Sequence, residues 1–337
     1  MQTEHAETLN NSAITLVESI VGLQSFEWLT ALRRRMRPVL RAHADGDNDP
    51  LFRYLLTAFQ YQGMTDANVS ALLEQAPVPG TAEIAWALRS GSGCGLLTSH
   101  WHFEGCGYRK TEAICHYPHL LDGCAVPNMD LRNGRLCQGA ISFFLFVRDV
   151  CDDDLLGWID KRLSVSCPDL SDRQQAKEAM IRPLSHVFGV SDKVLSLALS
   201  DVLLADQRHV MRVRAGASLI VVDTLVHNFL VRTGILRQLG FEHSYGAGCY
   251  GERGCATAID VLTDRLSERD PNAYDGQKTL FPRHVQKAIW SFCAQSGFDI
   301  CNGNRIENTR RCDNEICPVF DLCERRPLRP FNARKNN

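Results

Sequence analysis

Phe188-Gly189-Val190-Ser191-Asp192-Lys193, followed by the apolar run Val194 to Ala205 and then by Val221-Val222-Asp223-Thr224, is the stretch on which the rest of the chain turns. A glycine turn that runs into an apolar helical segment presents backbone N–H groups at a helix N-terminus, which suits it to gripping a phosphate. A lysine and a carboxylate on either side of that segment suit chemistry beside the phosphate. Outward from this stretch the chain reads as successive helices. Leu16, Ile20, Leu23, Trp28, Leu29 and Leu32 recur at helical intervals between Ala13 and Ala44, with a bend expected at Pro38. Further helices are expected over Leu51 to Phe59, Ala82 to Leu88, Arg109 to Cys115 and Ile141 to Arg162, the last around the acidic run Asp152-Asp153-Asp154. Ser171 with Gln174 resembles a capping box for a helix that Pro183 ends, and two more helices are expected over Ala256 to Leu266 and Pro282 to Ala294. Almost no stretch alternates with period two for long enough to make a strand, so the fold class is all-α.

With 337 residues, 45% of them hydrophobic, the chain can build one large or two moderate cores. No apolar run approaches the roughly 20 residues of a membrane span. The stretch Met1 to Ser12 is acidic and polar, unlike a signal or transit peptide, so the expected location is the cytoplasm. A net charge of -2 argues against a protein that coats nucleic acid by bulk electrostatics. It leaves room for a local basic face, for which Arg33, Arg34, Arg35, Arg37 and Arg41, or Arg208, Arg212 and Arg214, or the tail Arg325, Arg326, Arg329, Arg334 and Lys335, are candidates.

Fourteen cysteines without a secretion signal point to metal binding or buried thiols rather than to disulfides. Cys301, Cys312, Cys317 and Cys323 occur as C-x10-C-x4-C-x5-C, four potential thiolates in one loop. Such a loop can enclose a tetrahedral zinc or an iron-sulfur cluster, and spacing alone does not choose between them. His100, His102, Cys106, Cys115, His116, His119 and Cys124 supply a second set of potential ligands, without finger-like spacing. Cys249 and Cys255 flank a glycine-rich segment and carry a weaker signal still.

The ending Cys301, then Cys312-Asp-Asn-Glu-Ile-Cys317-Pro-Val-Phe-Asp-Leu-Cys323, resembles the cluster loop of the endonuclease III family of helix-hairpin-helix DNA glycosylases. In that family a [4Fe-4S] cluster is held by C-x6-C-x2-C-x5-C; the last interval matches and the first two are longer here. The family's hairpin, L-P-G-V-G-x-K-T-A, is followed by V-D-T-H-x-x-R-V-x-x-R. Val187 to Lys193 resembles the first motif and Val222 to Arg232 the second, with Thr233-Gly234 continuing the likeness. Leu55 to Asp66 is similar to L-L-S-A-Q-x-T-D, whose glutamine fills the hole left by a flipped base; Gln62 takes that place, with Gln60 the alternative. Ser191 stands where the hairpin's second glycine belongs, a departure that matters if that backbone needs a positive φ.

The resemblance implies two helical lobes with a DNA-binding cleft between them. Residues 51–220 form a six-helix-type lobe containing the hairpin, and 1–50 with 221–337 form a discontinuous second lobe ending in the cluster loop. It implies a monomer acting on double-stranded DNA, with Gly189, Val190, Ser191, Gln62 and Arg232 contacting DNA. Asp223 falls on the catalytic carboxylate and Lys193 on the nucleophilic lysine. Cys301, Cys312, Cys317 and Cys323 hold the [4Fe-4S] cluster, zinc being the alternative.

The implied chemistry is excision of an altered or mispaired base after base flipping. Asp223 stabilises the oxocarbenium-like state, and Lys193, if its amine is neutral, attacks C1′ and opens an AP-lyase step. Asp192 would oppose that neutrality if it met the lysine. Two alternatives stay open: a monofunctional glycosylase in which Asp223 activates water, and a non-catalytic protein that uses the hairpin to bind distorted DNA. For Asp223 a plain helix N-cap is also a natural role.

Overall fold

Local capping and buried faces explain why these segments are helical. In the computed structural model, residues 9–64, 66–75, 78–90, 93–109, 111–127, 131, 136–167, 172–269, 280–303 and 305–329 are described. Among them are fifteen α-helices and one two-stranded sheet. The chain divides into two units, Met1–Trp28 with Ala217–Asn337, and Leu29–Gly216.

The discontinuous unit begins with α1 (Asn11–Leu23), capped by Asn10, whose side chain accepts from Ala13 N at 2.8 Å. α2 (Glu27–Ala44) continues through Pro38, where a bend was expected, and its body belongs to the second unit. Arg33 Nε donates to Leu204 O at 3.4 Å and Arg35 pairs with Asp201 at 3.4 Å. These contacts are why the first unit boundary falls after Trp28 and not at residue 50.

The second unit adds α3 (Asp49–Phe59), α4 (Asp66–Gln75), α5 (Thr81–Ser90), α6 (His100–Phe103), α7 (Cys137–Asp149), α8 (Leu155–Ser166), α9 (Arg173–Leu184), α10 (Asp192–Ala205) and most of α11 (Val210–Ser218). Its core centres on Phe143, which stacks on Phe52 and meets Phe59 edge-on, both with centroids 5.0 Å apart. Gly216 lets α11 approach α10 closely, since a Cβ there would lie 2.8 Å from that of Leu203. Asp172 caps α9, accepting from Gln175 N at 3.0 Å, while Ser171 lies outside the described residues. Pro183 sits inside the last turn of α9 rather than ending it, because Ser185 N still reaches Ile181 O at 2.8 Å.

One expected helix is absent. Over Arg109 to Cys115 the chain instead makes a hairpin of β1 (Tyr108–Arg109) and β2 (Ile114–Cys115), paired antiparallel. Ala113 takes φ +53° and Glu112 N bonds Arg109 O at 3.2 Å, closing a reverse turn. The described residues here are exposed or half-buried, and so short a helix with no apolar face to bury is not stable on its own.

The first unit resumes with α12 (Thr224–Arg232), α13 (Ile235–Gln238), α14 (Cys255–Arg269) and α15 (Pro282–Cys293). α15 packs on α1, α12 and α14. Their shared core holds Leu16, Ile20, Phe229, Ile259, Ile289 and Phe292. No helix among the described residues is long and apolar enough to cross a membrane.

Candidate functional site

In the second unit the turn before α10 has the conformation its sequence suggests. Gly189 takes φ +74°, a left-handed value that costs glycine little, and Phe188 N is held by Ser142 Oγ at 3.1 Å. Ser191 has φ -86°, so the missing second glycine leaves no strain. Its hydroxyl does not cap α10. Gln62 Oε1 instead accepts from both Ser191 Oγ at 2.7 Å and Ser191 N at 3.2 Å. Two residues singled out separately in the sequence are thus clasped together, across 129 positions of chain. Gln60, the alternative, is buried. Lys193 is half-buried and has no hydrogen-bond or ion-pair partner among the described residues; in particular it does not pair with Asp192.

In the first unit Asp223 is the N-cap of α12. Oδ1 accepts from Val226 N at 3.0 Å, while Oδ2 makes no hydrogen bond among the described residues. The approach to Asp223 is fixed too, since Val222 N donates to the Tyr250 hydroxyl at 2.9 Å. Burial first, and the nearby Asp223 charge second, push the Tyr245 phenol above its ordinary value.

At the other end of α12, Arg232 departs from its expected role. It is 2% exposed, so its guanidinium has no surface to offer a DNA phosphate. Nη2 donates to Asn308 at 2.6 Å, while Nη1 is buried without a partner among the described residues. Arg232 lines a small cavity together with Cys301, Cys312, Cys317 and Cys323. Arg325 joins it there, with Nε also buried and unpaired and the guanidinium 4.2 Å from the Phe320 ring centroid. Phe229, Phe292, Ile306 and Val319 complete the wall. Burial pushes the Cys323 thiol up to about 12 and raises Cys317 as well. A hydrogen bond with Cys293, then the charge of Arg232, hold Cys301 below the ordinary thiol range against burial.

A second group of metal-ligand type lies in the same unit. The donor atoms of His227, His243, Cys249 and Cys255 all lie within 4.8 Å of one another, a geometry that can hold a metal ion. Among the described residues this is the one group of three or more such donors that close together. The histidines and cysteines between His100 and Cys124 make no such cluster; His102 is engaged by Ser99 at 2.8 Å and His116 by Arg109 at 3.0 Å. The group was missed because His227 is remote from the other three in sequence. The even spacing H-x5-C-x5-C of His243, Cys249 and Cys255 was the available signal. No protein-family profile, curated protein or solved structure matches the chain.

Proposed function

We propose that the chain is a DNA N-glycosylase of the helix-hairpin-helix kind, with an AP-lyase step, acting on an altered or mispaired base in duplex DNA. Asp223 carries this reading: one carboxylate oxygen is spent on capping α12 and the other makes no hydrogen bond among the described residues, with the backbone before it held by Tyr250. A carboxylate so held can face a developing positive charge without reorganising, which is what breaking an N-glycosidic bond demands. The base must first leave the stack, because its bond to C1′ is out of reach in the duplex. The turn at Gly189, opening into α10, offers phosphate contacts at the helix N-terminus. Gln62, fastened to Ser191, is held against that turn.

Lys193 supplies the amine. In its neutral form it attacks C1′ as the base departs with the bonding pair, and loss of the amine proton with ring opening gives a Schiff base. Abstraction of a C2′ proton then expels the 3′ phosphate by β-elimination.

The four cysteine thiols are the donors a [4Fe-4S] cluster would take, zinc being the alternative. The unpaired buried N–H groups of Arg232 and Arg325 suit the net negative charge of a thiolate-ligated cluster. When bound, the cluster supplies iron–thiolate bonds that fold the loop; excision is left to Asp223 and Lys193.

The test is excision from a panel of duplexes carrying single modified or mispaired bases, with borohydride trapping on an abasic-site duplex. Wild type is expected to excise at least one base and to form a trapped adduct that Lys193→Ala loses. Asp223→Asn excising at the wild-type rate would overturn the glycosylase. An adduct unchanged in Lys193→Ala would overturn the lyase.

A further inference from the structure

We propose that His227, His243, Cys249 and Cys255 form a structural zinc site, separate from the cavity lined by Cys301, Cys312, Cys317 and Cys323. The inference stands on the geometry of the first unit and does not depend on the glycosylase reading.

The distances between donors are those of a zinc tetrahedron. Zn–N of about 2.05 Å and Zn–S of about 2.3 Å give a tetrahedral N–S edge of ~3.6 Å. His227 Nδ1 lies 3.2 Å from Cys255 Sγ and 3.7 Å from Cys249 Sγ, and His243 Nε2 lies 3.5 Å from Cys255 Sγ. The three edges bracket the ideal value. Ordinary packing does not bring two imidazoles and two thiols to one point, because each pair has few hydrogen bonds to offer the other.

The surroundings are those of a ligand set. His243 Nδ1 donates to Phe241 O at 2.6 Å, which leaves Nε2 deprotonated and aimed at the group, the usual arrangement of a metal-bound imidazole. Cys249 and Cys255 are fully buried and His227 nearly so. Four protein donors fill a tetrahedral shell and leave no open position, the pattern of a structural rather than a hydrolytic zinc. Two thiolates also balance the charge of the ion. The glycine-rich segment follows from this geometry. A Cβ on Gly254 would sit 2.5 Å from the carbonyl oxygens of both Gly248 and Cys249, so only glycine allows the chain to fold back between the two cysteines.

The site ties three elements together: α12 through His227, the loop from Phe241 to Gly254 through His243 and Cys249, and α14 through its first residue, Cys255. It also fixes Asp223 from two directions. His227 is one turn along α12 from Asp223, and Tyr250, next to Cys249, bonds the backbone of Val222. The zinc ligands thus hold the N-terminal end of α12 in place.

The full chain, expressed with zinc and iron supplied, is expected to hold one zinc per chain. Zinc K-edge absorption on the wild-type protein should show two sulfur and two nitrogen neighbours. Cys249→Ser with Cys255→Ser should lose the zinc and keep the iron, while Cys312→Ser with Cys317→Ser should lose the iron and keep the zinc. A sulfur-only zinc shell, zinc retained by the Cys249/Cys255 variant, a Cys249–Cys255 disulfide in the isolated protein, or protein that takes up no zinc would each overturn the proposal. The wild-type absorption spectrum decides the question even where the variants fail to fold.

Discussion

His284 is a buried imidazole held neutral. Trp28 Nε1 donates to its Nδ1 at 3.1 Å, Phe26 stacks on it at 3.9 Å, and the Gln24 backbone offers a weaker polar contact that burial outweighs. Burial brings its pKa down to about 4, against 6.5 for a free imidazole. The unfolded chain therefore takes up this proton first as pH falls. The contribution to stability is complete above about 6.5 and is lost between about 6.5 and 4, roughly 2 kcal/mol of it by pH 5. His284→Asn keeps an acceptor for Trp28 and removes the titration. Urea unfolding at pH 7.5 and 5 should show the wild type losing about 2 kcal/mol more than the variant; equal losses would mean that His284 is already charged in the fold. Gln62 makes a second case at this scale. Gln62→Ala strips two hydrogen bonds from Ser191 and is expected to cost about 1–2 kcal/mol, measured as a lowered urea midpoint. Gly189→Ala, forced to φ +74°, should cost about 1 kcal/mol although nothing lies within 4 Å of the added methyl.

α12 has the catalytic candidate Asp223 as its N-cap, one donor of the His/Cys group, His227, along its length, and Arg232, which lines the four-cysteine cavity, at its end. Its first residue position separates folding from chemistry. Asn caps a helix as well as Asp, so Asp223→Asn should leave the melting temperature close to wild type and abolish base excision. Asp223→Ala should abolish excision and also cost about 1 kcal/mol. If Asp223→Asn destabilises as much as Asp223→Ala, the charge, not the cap, holds the helix end. Much of this element was legible in the sequence: the apolar spacing of Val226, Phe229 and Leu230 declares a helix, and Asp before Thr declares its start. The position of Arg232 was not, because motif spacing assigns an offset and says nothing about depth. Only the packing of Phe229 and Phe292 around the four thiols shows that the guanidinium is internal. The hairpin at Tyr108 escaped for a related reason, since an expectation of helix needs a face to bury and none was there. His227 was read as part of a DNA-glycosylase motif; its thiol partners lie 22 and 28 residues further on, beyond any local pattern.

At the scale of the molecule the two units are stabilised in different ways. In the second unit the core is aromatic, around Phe143, and its buried Arg212 is answered by Asp206 at 2.7 Å and Asp160 at 2.6 Å. In the first unit the core shared by α1, α12, α14 and α15 is flanked by two ligand sets, one of four thiols and one of two thiols and two imidazoles. Metal bound only by the folded state adds its binding free energy to folding, so with the two proposed sites filled that unit would depend on metal in a way the other does not. Stripping the protein with a strong chelator should therefore remove amide-exchange protection from α12, α14 and α15 while leaving α7 and α10 protected. Exchange followed by mass spectrometry reads both regions in one experiment. Protection lost equally from α7 and α10 would show that the units unfold as one, and protection kept in α12 would show that the ligand sets add nothing to the fold. Restoring zinc alone separates the two contributions: α12 and α14 should regain protection, and the segment from Cys301 to Cys323 should not recover until iron and sulfide are supplied.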